Sequence, residues 1–205
     1  LPAKETFRTP DFYFTYSLNG KGEASRNFHD WARKYQIKKG DQTRMTLLNN
    51  WEATYFDFTE DRLVEIAAKA KECGVELFVL DDGWFGARSN DYAGLGDWVA
   101  NRERLPQGIK GIADRIEEMG MKFGLWFEPE MISEDSDLYR AHPDWAFAVP
   151  GRVPNHGRNQ LVLDMTRDDV REYLLERLTT IVHDAEIDYV KSVSYTHLRA
   201  HETLR

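Results

Sequence analysis

Residues 80–85, Leu-Asp-Asp-Gly-Trp-Phe, concentrate groups that could bind a polar ligand. An apolar run ends there in two adjacent carboxylates, Asp81 and Asp82, which a glycine and an indole follow. Each carboxylate can accept at least two hydrogen bonds, and an indole can pack on the apolar face of a pyranose ring. The pattern therefore favours a sugar site. The structural alternative is that Asp82-Gly83 forms a turn in which Asp81 caps a backbone amide.

A second apolar run ends in a similar way, because residues 125–131 read Leu-Trp-Phe-Glu-Pro-Glu-Met. Trp126 could line the same site, although taken alone it would more readily be a core residue. Glu128 and Glu130 could be an acid pair, metal ligands or structural hydrogen-bond acceptors, and we assign them no catalytic role. Arg158 lies in a loop, where its planar guanidinium could hold a sugar hydroxyl or a carboxylate, or simply be solvated.

The elements that must position these groups alternate along the chain after residue 44. Capping residues and helical periodicity predict helices that open at Thr59 and cover residues 109–119 and 168–183. Short apolar runs, most of them with polar residues at their carboxyl ends, are predicted to be strands: residues 46–51, 75–80, 122–127, 161–164 and 188–191.

Alternating strands and helices indicate an α/β fold with parallel strands and crossover helices. Polar and aromatic residues at successive strand ends favour a barrel rim over a doubly wound sheet, since no strand is followed by a phosphate-binding glycine pattern. We therefore predict a partial TIM (β/α)8 barrel with about five of its eight strands. Residues 1–44 are predicted to be a linking segment, with a strand at 12–17 and a helix that Ser25 could cap.

Composition excludes several classes of protein. The formal net charge of −8 and the lack of a basic cluster argue against a nucleic-acid partner. No apolar run approaches the roughly 20 residues that a membrane-spanning helix needs. Cys73 is the single cysteine, so no internal disulfide or cysteine-based zinc site is expected. We expect Cys73 to be a small buried residue at a helix end.

Six short motifs along the chain stand in the order typical of one enzyme family: Asn49-Asn50-Trp51-Glu52, Leu80-Asp81-Asp82-Gly83-Trp84-Phe85-Gly86, Gly96-Asp97-Trp98, residues 124–131, His142-Pro143-Asp144-Trp145 and Leu163-Asp164. Together they cover roughly residues 45–191 and resemble glycoside hydrolase family 36, the multidomain microbial α-galactosidases. The motifs are weak singly and specific jointly. Residues 7–35 also resemble that family's link from an N-terminal β-sandwich domain, which this chain lacks.

The resemblance implies hydrolysis of terminal α-galactosides by a retaining mechanism, with one carboxylate as nucleophile and another as general acid and then base. It implies no cofactor. It also implies roles for residues of this chain, all of them in substrate binding: Asp81 and Asp82 for galactose hydroxyls, Trp126 as an aromatic wall, Arg158 as a sugar contact, Lys191 as a hydroxyl contact and Trp51 near the pocket mouth.

The chain departs from the family after Lys191. The family has Trp-Asp at the next two positions, and that Asp is the nucleophile, whereas here Ser192 and Val193 follow. The general acid would lie beyond the chain end, so we predict no catalytic residue within the chain and an inactive fragment. Residues 192–205 do not resemble the family; the tail reads like translated sequencing-adapter DNA and is interpreted as an artefact.

Two other functions remain open from the sequence. One is a non-catalytic galactoside-binding module that keeps Asp81, Asp82 and Trp126. The other, less favoured, is a metal-dependent barrel enzyme that uses Glu128 and Glu130 together with the two aspartates as oxygen ligands. For the parent protein, the expectations are an α-galactoside as ligand, no nucleic-acid or membrane partner, assembly as a homo-oligomer and a cytoplasmic location.

Overall fold

The computed structural model describes residues 6–149, 151–154 and 156–194, and the chain divides into two compact units between Arg44 and Met45. Within these ranges, none of the helices is long and apolar enough to cross a bilayer. Of the tail predicted for residues 192–205, the part from residue 195 onward lies outside the described residues.

The first unit contains one helix, α1 (Lys21–Tyr35), within the part of the chain described. Its N-cap is Gly20, whose φ of 83° suits glycine, so the predicted cap Ser25 lies inside the helix instead. The predicted strand at residues 12–17 is wrong, since these residues form no regular element. They find no ladder partner in this unit, and Tyr13 packs on Trp31 of α1 with ring centroids 4.3 Å apart.

The second unit is an α/β domain built on parallel strands. Its elements in chain order are β1 (Leu47–Asn49), α2 (Trp51–Thr54), α3 (Glu60–Glu72), β2 (Leu77–Leu80), α4 (Gly108–Glu118), β3 (Lys122–Phe127), β4 (Met131–Ile132), α5 (Asp137–Ala141), a 3₁₀ turn (Pro143–Trp145), β5 (Leu161–Val162), α6 (Asp168–Asp184) and β6 (Tyr189–Ser192). The sheet order is β1-β2-β3-β6, and every neighbouring pair is parallel.

The prediction of five strands in this sheet is not confirmed, because the described residues place four in it. The run at 161–164 does form a strand, β5, but it pairs antiparallel with β4 in a separate two-stranded sheet. β6 therefore lies directly beside β3, where Tyr189 stands opposite Gly124. A Cβ on Gly124 would approach the Tyr189 ring to 3.0 Å, so glycine permits the close packing. An apolar run predicts a strand without specifying its partner.

Helices α3 and α4 share the main hydrophobic core with the sheet. Thr59 caps α3 as predicted, with its hydroxyl accepting a hydrogen bond from the backbone N–H of Arg62 at 3.3 Å. Leu63 and Ala67 of α3, and Ile112 of α4, are buried in that core together with strand residues such as Phe78 and Phe123. This packing anchors the strands whose carboxyl ends carry the polar groups.

A cluster of aromatic side chains lies at the carboxyl ends of β2 and β3; it consists of Trp84, Phe85, Trp98, Trp126 and Phe127. All five are buried, and the Trp84 indole N–H donates to the carbonyl oxygen of Trp126 at 3.0 Å. The aromatic cluster therefore ties the loop that follows β2 to strand β3.

The expectation that Cys73 is buried is wrong, because its thiol is free and exposed at the C-cap of α3. The chain turns there toward Gly74, whose φ of 84° lets it leave the helix with the cysteine on the surface. We expect a chromogenic disulfide reagent to titrate one thiol in the folded chain at a rate close to that in denaturant. Cys73→Ser abolishes the signal, and a thiol that reacts only after unfolding would contradict this expectation.

Candidate functional site

The carboxylate of Asp81 links three strands at the carboxyl edge of the parallel sheet. Its Oδ2 accepts hydrogen bonds from Asn49 Nδ2 at 2.5 Å and from Lys191 Nζ at 2.6 Å. Its Oδ1 accepts from the backbone N–H of Asp82 at 2.9 Å. The Asp81 side chain is almost fully buried, whereas Lys191 keeps a substantial exposed fraction. The predicted sugar-binding residues Asp81 and Lys191 are thus in direct contact.

The sheet register explains why these side chains meet. Lys191 stands opposite Trp126, and Asn49 stands opposite Val79, two residues before Asp81. Because side chains alternate between the two faces of a strand, Asn49, Asp81 and Lys191 are directed to the same face. Parallel strands bring their carboxyl ends to one edge, so the polar groups converge there.

Asn50 holds the backbone of Asp81, a role not predicted from the sequence although Asn50 belongs to the Asn49-Asn50-Trp51-Glu52 motif. Its side chain is fully buried; Oδ1 accepts from the Asp81 backbone N–H at 2.8 Å and Nδ2 donates to the Thr54 hydroxyl at 2.8 Å. Both ends of the amide are thereby satisfied, which fixes its orientation. The Asn50 side chain therefore adds a second link, beside the Asn49–Asp81 hydrogen bond, between the ends of β1 and β2.

Asp82 lies beside Asp81 but has different partners. The guanidinium of Arg88 donates from Nε to Asp82 Oδ1 at 2.9 Å and from Nη2 to Oδ2 at 2.8 Å. Arg88 is 0% exposed and Asp82 is nearly as buried. Burial raises the pKa of Asp82, and the hydrogen bonds and charge of Arg88 oppose that rise. Sequence reasoning missed Arg88, since an arginine in a loop is usually solvated.

Glu128 is a buried acid at the end of β3. It is 1% exposed, and its Oε1 has no hydrogen-bond partner among the described residues. Burial raises the pKa of Glu128 to about 7; the charges of Arg158 and Arg88 oppose this rise, and those of Asp82 and Asp91 add to it. The carboxyl group is therefore able to hold or release a proton near neutral pH.

The remaining predicted binding residues lie around this edge. Trp126 is 5% exposed and stacks on Phe85, with ring planes 4° apart and centroids 6.2 Å apart, so most of its surface packs in the aromatic cluster. Trp51, at the start of α2, is partly exposed and meets Phe56 edge-on at 5.0 Å. Arg158 is half-exposed, and its Nη2 lies 3.8 Å from Asp91 Oδ1.

Val193 stands where the family resemblance predicts a nucleophilic carboxylate. Its backbone N–H donates to the Phe127 carbonyl oxygen at 2.8 Å, which continues the β3–β6 ladder past the assigned end of the strand. Its side chain packs against the main core and carries no ionisable group. Within the residues described, no group of three or more His, Cys, Asp or Glu side chains is arranged to hold a metal ion.

Comparison with known proteins identifies the family of this chain. The model of the melibiase family matches residues 6–203 of the chain. The chain belongs to the melibiase family. Among curated relatives, α-galactosidase AgaA of Geobacillus stearothermophilus is 50% identical over 194 residues, 93% of this chain and 26% of the relative. α-Galactosidase Mel36A of Lactobacillus acidophilus is 49% identical over 193 residues, again 93% of this chain and 26% of the relative.

Solved structures agree with the melibiase assignment. The family 36 α-galactosidase AgaB of Geobacillus stearothermophilus is 51% identical, with a TM-score of 0.80 over 82% of this chain and 24% of that one. Variants of AgaA from the same organism, in complex with stachyose and with raffinose, match at 50% identity and a TM-score of 0.80, covering 82% of this chain and 24% of theirs. The resemblance to glycoside hydrolase family 36 is thus confirmed, and this melibiase chain spans about a quarter of the length of these relatives.

Proposed function

We propose that this chain is the first part of the catalytic domain of an α-galactosidase, which removes terminal α-linked galactose by a retaining double displacement. The observation that carries the proposal is the Asn49–Asp81–Lys191 contact at the carboxyl edge of a parallel sheet. This contact occurs in a chain whose sequence is 50% and 49% identical to two proteins named α-galactosidases. Raffinose-type oligosaccharides are the proposed substrates, because raffinose and stachyose are bound in the AgaA variant structures.

The four-stranded sheet is proposed to be one arc of a (β/α)8 barrel. Its outer strands, β1 and β6, each have one edge without a partner in the parallel sheet order. Leu47 on β1, and Tyr189 and Val190 on β6, are all more than a third exposed. Exposed apolar residues on unpaired strand edges are costly, and further strands of a barrel would cover them.

In the complete protein, the residues of this chain would bind galactose and would not carry out bond cleavage. Asp81 would accept hydrogen bonds from sugar hydroxyls while Lys191 balances its charge, and Asp82 would present a second carboxylate beside it. Arg158, Trp51 and Trp126 are proposed to complete the sugar contacts. The nucleophile would stand at position 193, where this chain has valine, and the general acid would come from a later segment.

An activity assay tests this proposal. We expect the 205-residue chain to show no turnover of an aryl α-galactoside, and the complete protein with Trp-Asp after Lys191 to hydrolyse it. In that protein, Asp81→Asn should lower kcat/KM roughly 100-fold, since a charged acceptor for sugar hydroxyls is lost. Asp135→Asn, at an exposed surface carboxylate, is the matched control and should change kcat/KM less than twofold.

Two outcomes would contradict the proposal in different ways. Turnover by the 205-residue chain that Asp82→Asn abolishes would show that a nucleophile is present after all. A complete protein without any activity on α-galactosides would refute the enzyme assignment. One alternative predicted from the sequence is a non-catalytic galactoside-binding module, which would need no nucleophile at position 193. Calorimetry with galactose distinguishes the binding module from the enzyme fragment. A binding module should bind galactose when the isolated 205-residue chain is tested, whereas an incomplete barrel should show no measurable binding.

We extend the proposal to the location and partners of the parent protein. An α-galactosidase of this family is proposed to act in the cytoplasm as a homo-oligomer, with neither nucleic acid nor a membrane as partner. Its ligand is proposed to be the galactoside alone, without a metal or an organic cofactor.

A further inference from the structure

Arg88 is the most deeply buried charged residue among those described, at 0% exposure. Three of its contacts go to Asp82: Nε to Oδ1 at 2.9 Å, Nε to Oδ2 at 3.1 Å and Nη2 to Oδ2 at 2.8 Å. Nη1 donates to the carbonyl oxygen of Ala93 at 3.2 Å. The guanidinium therefore binds both carboxylate oxygens through two of its nitrogens, Nε and Nη2, a bidentate contact that lysine cannot reproduce.

The loop between Asp82 and Arg88 is itself tightly held. Arg104 Nη1 donates to the Gly83 carbonyl oxygen at 2.5 Å and to the Arg88 carbonyl oxygen at 2.9 Å, which ties both ends of the loop to one side chain. Gly83 has a φ of 101°, and a Cβ there would lie 3.1 Å from the Phe56 ring. The Arg88 guanidinium carbon lies 5.5 Å from the centroid of the same ring. Arg88 is thus a rigid support.

We propose that Arg88 is a positioning residue that fixes the Asp82 carboxylate in one orientation, so that its unused lone pairs face the hydroxyl groups of a bound galactoside. A carboxylate offers about four acceptor positions, and the forked pair of donors of Arg88, Nε and Nη2, occupies about half of them. Without this fork, a buried aspartate could rotate or take up a proton, and either change would remove an acceptor from the sugar site. The inference rests on the proposed function, because the sugar is the ligand that it invokes.

Kinetics of the complete protein test the inference. Arg88→Lys keeps the charge but loses the fork, and Arg88→Met removes both. We expect each variant to lower kcat/KM for an aryl α-galactoside at least tenfold, mainly through a higher KM. In Arg88→Met the acidic limb of the pH profile should move to higher pH. Arg115→Lys, in a half-exposed ion pair with Glu60 and Asp61, is the matched control and should stay within twofold.

A second readout does not depend on activity. The ¹³C resonance of the Asp82 carboxyl group is followed during a pH titration of the 205-residue chain and its Arg88 variants. We expect a higher midpoint in Arg88→Met than in the wild type and a smaller rise in Arg88→Lys, because lysine retains the positive charge. Arg115→Lys should leave the midpoint unchanged.

The outcomes separate the inference from the proposed function. A folded Arg88→Lys variant with kinetic constants and pH profile within twofold of wild type would overturn the role of Arg88. If the complete protein hydrolyses no α-galactoside, the proposed function fails, and the role of Arg88 toward a bound galactoside fails with it. If the complete protein is active, an unchanged Asp82 midpoint in both variants overturns the inference, and a raised midpoint together with the kinetic loss supports it.

Discussion

Replacing Trp84 with alanine is expected to lower the free energy of unfolding by about 3–5 kcal/mol. Trp84 is fully buried, with its ring centroid 4.9 Å from that of Phe85 and 5.5 Å from that of Phe127. Alanine would leave a large cavity in the aromatic cluster and would leave the Trp126 carbonyl oxygen without its indole donor. Urea unfolding of the chain, followed by circular dichroism, measures the change.

Two further variants make this experiment decisive. Trp84→Phe keeps a ring in the cluster and should lose less stability than the alanine variant, so it remains measurable if Trp84→Ala does not fold. Tyr92→Ala removes an aromatic ring that is 65% exposed and should change stability by no more than about 0.5 kcal/mol. A loss below about 1 kcal/mol for Trp84→Ala would show that the aromatic cluster is not packed as described.

Replacing Glu128 with glutamine is expected to remove a pH dependence of stability. Burial raises the pKa of Glu128 from 4.5 to about 7. The unfolded chain releases this proton near pH 4.5 and the folded chain only near pH 7, so the folded state binds more protons between these values. The stability of the wild type should therefore fall as the pH rises through this interval, by about 3 kcal/mol, and stay low above it. The groups that set this pKa are Arg158, Arg88, Asp82 and Asp91.

Glu128→Gln carries no proton to release, so its stability should be flatter over the same interval and should exceed that of the wild type at pH 8. Urea midpoints measured from pH 4.5 to 8 give the comparison. Glu65→Gln, at an exposed position on α3, serves as the control and should leave the wild-type curve unchanged in shape. Parallel curves for wild type and Glu128→Gln would mean that the carboxyl group is solvated in the folded chain.

Much of the parallel sheet could be predicted from the sequence because local patterns determine it. The apolar run at Lys122–Phe127 coincides with β3, and Thr59 caps α3 with its own hydroxyl. Partner choice is not local, however. The run that became β5 satisfies the same strand pattern as β6, yet β5 pairs with β4, and β6 pairs with β3, where Tyr189 packs closely over Gly124.

The same distinction between local and non-local information applies to the residues of the candidate site. Asp81 and Lys191 were predictable because strand ends of a parallel sheet share one edge, and the contact between them follows from that topology. Arg88 could not be predicted as part of the site, because nothing in the sequence spacing of a loop arginine reveals that it is buried. Trp126 was open to two interpretations, and its surface lies mostly in the aromatic cluster. Residues 12–17 show the converse, since alternation there produced no strand.

The contacts of Asp81 also determine when the site can appear as the protein folds. Asn49 is 32 residues from Asp81 in sequence, whereas Lys191 is 110 residues away. Contacts of such long sequence separation form slowly, because a large loop must close before they contribute any stabilisation. The first three strands can align before the Lys191 side chain reaches the carboxyl edge of the sheet. A nascent chain can thus form the β1-β2-β3 part of the sheet before Asp81 gains its contact with Lys191 on β6.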